Sequence, residues 1–245
     1  MQKIKKLYRG SYSGEHVITN MTYSDGSWSY ERETVENNLF NNQISDKAVV
    51  IGNGVSRKAF DLNVFTNHRG GLLASGALQS YGCNALYREF SPHFLVANGE
   101  EIVTEIANSG YTSEHIVYAN ANAILDHPNK YYLIPQDPSW NAGAIATYMA
   151  CFDGHKTVYL MGFDGIDHPD NGYNVYANTP GYPAPSYGYS EEFWVRSMLE
   201  VFNTYNDVDF VRVMPTKFFR MPDEWQYVLN LRQITFNEFA TEVDL

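Results

Sequence analysis

Short apolar runs separated by helix-like segments organise most of this chain. Ala48-Val-Val-Ile51 is a continuous, largely β-branched run that ends in Gly52-Asn-Gly54, the pattern of a buried parallel strand entering a tight turn. Comparable runs recur at residues 93–97, 115–118, 130–134, 156–161 and 208–213. Between them, residues 99–109, 142–152 and 190–205 carry apolar positions at helical spacing, and the last of these opens with Ser190-Glu-Glu, a helix-start signal. Strand and helix therefore alternate. The expectation is an α/β domain over residues 46–245, with a mainly parallel sheet, helices on both faces, and ligands beyond the C-terminal strand ends.

Two regions break the pattern. Residues 1–45 are rich in Tyr, Ser, Asn and Gly, and two short runs flank Ser24-Asp-Gly-Ser27, which predicts a hairpin and a small N-terminal β extension. Residues 168–189 are rich in Pro, Gly, Tyr and Asn without a usable period, directly after a strand end, and read as a lid loop. The tail from Phe218 to Leu245 reads as one or two packed helices.

Composition narrows the function. Only 18% of the 245 residues are charged and 44% are hydrophobic, which excludes intrinsic disorder. The net charge of −11 repels phosphate backbones, so nucleic acid is an unfavourable partner. No run approaches the roughly 18 apolar residues of a membrane span, and the basic N-terminus lacks the apolar core of a signal peptide, so a cytoplasmic protein is expected. Cys83 and Cys151 have no zinc-like spacing and read as buried thiols.

The candidate chemistry lies at strand ends. Glycines in Gly52-Asn53-Gly54-Val55-Ser56 allow a ligand to approach backbone amides, and a helix beginning near Arg57 would point its N-terminus at an anion. Asn53, Asn84 and Asn98 each sit at a strand end, where an amide offers both a donor and an acceptor to a base or ribose. Asn141 is a plausible N-cap for the helix opened by Ala142-Gly143, and Asp164 is an acidic residue at a strand end, suited to a turn, a proton or a metal. The Asp167, His168 and Asp170 group has no recognised metal-ligand spacing.

In this order the elements resemble a Rossmann-like group. It contains bacterial sialyltransferases that use CMP-sialic acid, motility accessory factor proteins, and archaeal 6-hydroxymethyl-7,8-dihydropterin diphosphokinases. The matching stretches are Val50–Ser56, Cys83–Tyr87, Val96–Asn98, Ala142-Gly143 and Val158–Asp164, followed by Asn171-Gly172 and a tyrosine cluster, within residues 47–205. The resemblance implies a nucleotide site lined by Gly52, Asn53, Asn84, Asn98 and the Ala142-Gly143 turn, together with Gly54, Ser56, Asn141 and Asp164 from the same turns. It also implies that Tyr173 or Tyr176 reaches the phosphate and that no cofactor is required. The donor would be a nucleotide-sugar and the acceptor a glycan or small molecule, and homo-oligomer formation is compatible with this scheme. The chain departs from the family pattern at Ala142, where a serine is expected, and at Tyr189, where the general-base histidine is expected. His168, on the same loop, is the substitute candidate. The alternatives are a diphosphokinase-like enzyme, with Mg2+ held at Asp164, and a catalytically inactive nucleotide-binding relative.

Overall fold

A computed structural model describes residues 2–9, 16–35, 45–67, 78–135, 138–164, 174–182 and 191–245. The N-terminal extension is a three-stranded antiparallel sheet of β1 (Gln2–Arg9), β2 (His16–Ser24) and β3 (Ser27–Val35). Asp25 and Gly26, at φ of 51° and 79°, make the β2–β3 turn; a two-residue hairpin loop with positive φ at both positions suits strand twist and favours Asp-Gly.

The main sheet has eight parallel strands: β4 (Lys47–Ile51), β5 (Gln79–Cys83), β6 (Phe94–Ala97), β7 (Ile116–Ala119), β8 (Tyr132–Leu133), β9 (Thr157–Met161), β10 (Asp209–Met214) and β11 (Leu231–Thr235). Their spatial order is β11-β10-β9-β4-β5-β6-β7-β8, and every neighbouring pair is parallel. Strand side chains alternate between two faces. Val49 and Ile51 join one core with residues of α2 (Glu100–Ser109), α3 (Ala121–Asp126) and α6 (Phe236–Glu242). Ala48 and Val50 join the other, with α4 (Ala142–Phe152) and α5 (Glu191–Thr204). Residues 142–151 of α4 are all buried, because this helix carries the chain from β8 at one edge back to β9 beneath the sheet centre. A helix apolar on every side has no solvent face to offer.

Two features differ from the sequence expectation. The tail holds the expected helix α6 and a 3-10 turn at Asp223–Trp225, but between them it also adds the edge strand β11: Phe210↔Leu231 through Met214↔Thr235 pair in register with β10, and Thr235 with Glu238 then closes a capping box on α6. The helix expected near Arg57 is a single 3-10 turn, Val55–Ala59, followed after a short gap by α1 (Val64–Asn67), so no helix dipole faces the strand ends here. Among the described residues, no helix is long and apolar enough to cross a membrane.

Candidate functional site

Strand order reverses at β4. The chain steps outward from β4 through β5 to β8, then returns to place β9 on the other side of β4. In open parallel sheets, ligands lie in the crevice outside the strand C-termini at such a reversal. The turns after β4 and β9 meet there closely. The Gly52 and Gly54 amides donate to Met161 and Gly162 carbonyls at 2.8 and 3.0 Å. A Cβ on Gly54 would lie 2.5 Å from the Gly162 carbonyl oxygen and 2.6 Å from the Asp164 carboxyl carbon, so the contact requires glycine. The Ser56 amide donates to Asp164 Oδ2 at 3.0 Å, and its hydroxyl donates to Oδ1. Gly52, Gly54, Ser56 and Asp164 thus fasten two strand ends together, and both Asp164 oxygens are engaged. Arg212, fully buried on β10, secures the far side by donating to the Phe163 carbonyl at 2.8 Å and to that of Asp164.

The three strand-end asparagines are brought together. Asn53 Nδ2 donates to the Cys83 carbonyl at 3.4 Å, at the end of β5. Asn84, next in the chain, holds φ of 50°, a left-handed conformation that asparagine tolerates, and its Oδ1 accepts the Asn98 amide at 2.8 Å. Asn98 Nδ2 donates to the Trp140 carbonyl at 3.0 Å, and the next residue, Asn141, caps α4 by accepting the Ala144 amide on Oδ1 at 3.0 Å. The circuit closes through Phe163. Its ring lies between Gly143 and Gly52, where added Cβ atoms would stand 3.4 and 3.2 Å from it. Residues from the ends of β4, β5, β6 and β9 and from the start of α4, including Ala142 and Gly143, therefore encircle one patch of the C-terminal sheet edge.

Within this circuit two polar atoms lack a partner among the described residues although both are buried: Asn53 Oδ1 and Asn141 Nδ2. Each amide's orientation is fixed by its other end, because Asn53 donates through Nδ2 and Asn141 accepts through Oδ1. One leftover acceptor and one leftover donor remain. Buried amide groups without partners are costly, on the order of 1–3 kcal/mol each, and are a reason to look for a ligand.

The described part of the expected lid, residues 174–182, packs down beside the circuit. The Val175 amide donates to the Asn53 carbonyl at 2.8 Å. Arg88 donates to Thr179 Oγ1 and to the Pro180 carbonyl, both at 2.7 Å. The Tyr182 phenol is buried beside Asn84 and Cys83, and burial pushes it up to about 12. Tyr176 takes a role the sequence reading did not foresee. Its hydroxyl donates to Glu89 Oε1 and accepts from Arg57 Nη2 at 2.9 Å, while Arg57 Nη2 also reaches Glu89 Oε1 at 2.5 Å. A phenol held in this way is an anchor for the loop rather than a free phosphate ligand. Burial, reinforced by its bond to Glu89, pushes the Tyr176 phenol far above its ordinary range. Burial also acts to raise Glu89, but the bonds from Tyr176 and Arg57 outweigh it and hold the carboxyl below its usual value.

His168, Tyr173 and Tyr189 lie outside the described residues, as do the ends of the lid segment. Arg57, Glu89, Trp140 and Phe163 were absent from the sequence-based site. Arg57 and Glu89 stand 32 positions apart, and no local motif announces their pairing. Both cysteines are free and buried, and burial pushes the Cys83 thiol up to about 12. Compared with protein-family models, curated proteins and solved structures, the chain matches none of them.

Proposed function

We propose that the C-terminal edge of the sheet binds a mononucleotide and that the protein transfers a sugar from a nucleotide-sugar donor of the CMP type, as in the sialyltransferases its sequence resembles. The observation that carries this reading is the pair of buried, unpartnered amide atoms, Asn53 Oδ1 and Asn141 Nδ2, on one circuit at the strand-order reversal. Cytosine presents an amino donor beside ring-nitrogen and carbonyl acceptors, the complement of one free acceptor and one free donor. Asn84 and Asn98 set the frame in which these atoms are held. The magnesium-dependent alternative is less well supported, because both Asp164 oxygens already accept from Ser56. The transfer chemistry rests on the resemblance alone, with His168, Tyr173 and Tyr189 as candidate proton and phosphate groups.

The test is a thermal-shift screen of CMP, CDP, UDP, GDP and ATP, with and without magnesium. Cytidine nucleotides at 100 times their dissociation constant should stabilise the fold by about 2.7 kcal/mol. Asn53→Ala should abolish the response with the fold intact. No response to any nucleotide, or one that survives Asn53→Ala, overturns the reading.

A further inference from the structure

A cavity of about 440 Å³ opens between the 3-10 turn after β4 and the docked segment 174–182. It adjoins the asparagine circuit at Val175, which lines it and whose amide bonds the Asn53 carbonyl. Its lining includes Lys58, Phe60, Asp61, Asn63, Glu89 and Tyr176, with the buried Arg57 in its wall. Two carboxylates face it in the same state. Glu89 Oε1 takes the bonds from Arg57 and Tyr176, which leaves Oε2 unengaged among the described residues. Asp61 Oδ1 takes both the amide and the Nδ2 of Asn63 at 2.9 Å, which leaves Oδ2 unengaged among the described residues. The engaged oxygens hold both carboxylates in the cavity lining, and each keeps a second oxygen that can accept from a ligand.

We infer that this cavity is a sugar site, taking a neutral polyhydroxylated ligand whose hydroxyl groups donate to Asp61 Oδ2 and Glu89 Oε2. Charge selects against ions of either sign. Arg57 and Lys58 balance Glu89 and Asp61, so neither an anion nor a polycation gains a net field. The volume lies within the range of small-ligand pockets, and the half-buried Phe60 supplies apolar ring surface for the C–H face of a pyranose, whereas the Tyr176 ring is covered by Arg57 and Arg88. Because the tyrosine and the arginine beneath it are held in place, the acceptors are arranged before binding, which lowers the ordering cost. The inference stands without the nucleotide; if both hold, this cavity seats the acceptor.

The experiment uses the full chain without nucleotide. N-acetylglucosamine, methyl β-galactoside and lactose are titrated to about 50 mM while the Asn63 side-chain amide and the Val175 backbone amide are followed by 15N NMR, with glucuronate and spermidine as ionic controls. At least one neutral sugar should shift both signals saturably. Asp61→Ala, and Asn63→Ala read at the Val175 amide alone because the variant lacks the side-chain signal, both at exposed positions, should weaken that sugar about tenfold while the remaining spectrum stays unchanged. The inference is overturned if no neutral sugar moves these signals, if only glucuronate or spermidine does, or if binding is indifferent to both variants. Nucleotide binding is read separately at the four asparagine side chains, so failure of one site does not imply failure of the other.

Discussion

At the edge of the sheet opposite the asparagine circuit, Tyr81, Asp153 and His155 form a buried line whose protons can be counted. The Tyr81 hydroxyl lies 2.6 Å from Asp153 Oδ2 and 3.0 Å from His155 Nε2, and His155 Nδ1 lies 2.6 Å from the Ser45 carbonyl. Only an N–H can make that last contact, so Nδ1 carries a proton. A phenol has one hydrogen. When it goes to an ionised Asp153, the oxygen meets Nε2 without a donor between them unless one further proton sits on the carboxyl or the imidazole. Burial pushes the Asp153 carboxyl up to about 6, partly offset by the Tyr81 bond, and burial pushes the His155 imidazole down to about 4. Unfolded, the same groups titrate near 3.9 and 6.5. Folded and unfolded chains therefore take up their two protons at nearly the same pair of pH values, and these groups give the parent almost no pH slope between pH 4 and 6.5.

Single substitutions should expose two opposite slopes. In Asp153→Asn only the depressed histidine remains. The unfolded chain binds more protons between pH 4 and 6.5, so stability falls as pH drops through that window, by about 3 kcal/mol at 1.36 kcal/mol per unit. In His155→Gln only the raised carboxyl remains. The folded chain then binds more protons, so stability is fully present below about pH 4 and is lost by about 3 kcal/mol as pH rises through 6. Urea unfolding from pH 4 to 7, with the parent curve subtracted from each variant, isolates these terms. Difference curves that are both flat, or that slope the same way, refute the proton count.

Other expectations follow from individual contacts. Gly54→Ala drives a Cβ into the Gly162 carbonyl and Asp164, and should cost about 3 kcal/mol in denaturant unfolding. Arg212→Met leaves the Phe163 and Arg220 carbonyls and Gln233 without their buried donor, with a loss of about 3 kcal/mol in the same assay. Thr235→Ala removes the capping box of α6 and should cost about 1 kcal/mol, with amide exchange rising first in residues 236–242. Tyr176→Phe removes the hydroxyl that ties Glu89 to the docked segment, so amide exchange over residues 175–182 should quicken about tenfold and the Glu89 carboxyl should titrate higher.

What the sequence disclosed depended on how the burial of each element is written in its residues. β4, β6, β7, β9 and β10 are covered on both faces and read as apolar runs, and α4 lies within its expected bounds because every side of it is apolar. β5 escaped notice. It sits at the centre of the sheet with Gln79 and Ser80 buried, tolerated because the Ser80 amide and hydroxyl both reach His93 Nδ1, a partner 13 residues away. β11 is hidden in a stretch that reads as helix, because Leu231-Arg-Gln-Ile-Thr235 is short and lies at an edge, pairing with β10 alone. At the site, the clustering of Asn53, Asn84 and Asn98 follows from strand order, which strand-end placement foretells. The roles of the glycines and of Tyr176 do not follow so directly. Whether a Gly-rich turn opens to a ligand or closes on a neighbouring strand depends on the opposing residues, here Gly162 and Asp164 more than 100 positions later.

The nucleotide reading stands or falls on where a cytidine nucleotide touches the chain. With 15N-labelled protein and CMP added to saturation, the side-chain amides of Asn53, Asn84, Asn98 and Asn141 should shift together along one binding curve, with Asn141 Nδ2 moving as it gains an acceptor. If CMP binds elsewhere and leaves these four signals in place, or does not bind at all, the circuit is a structural brace for the strand ends and the functional account is wrong.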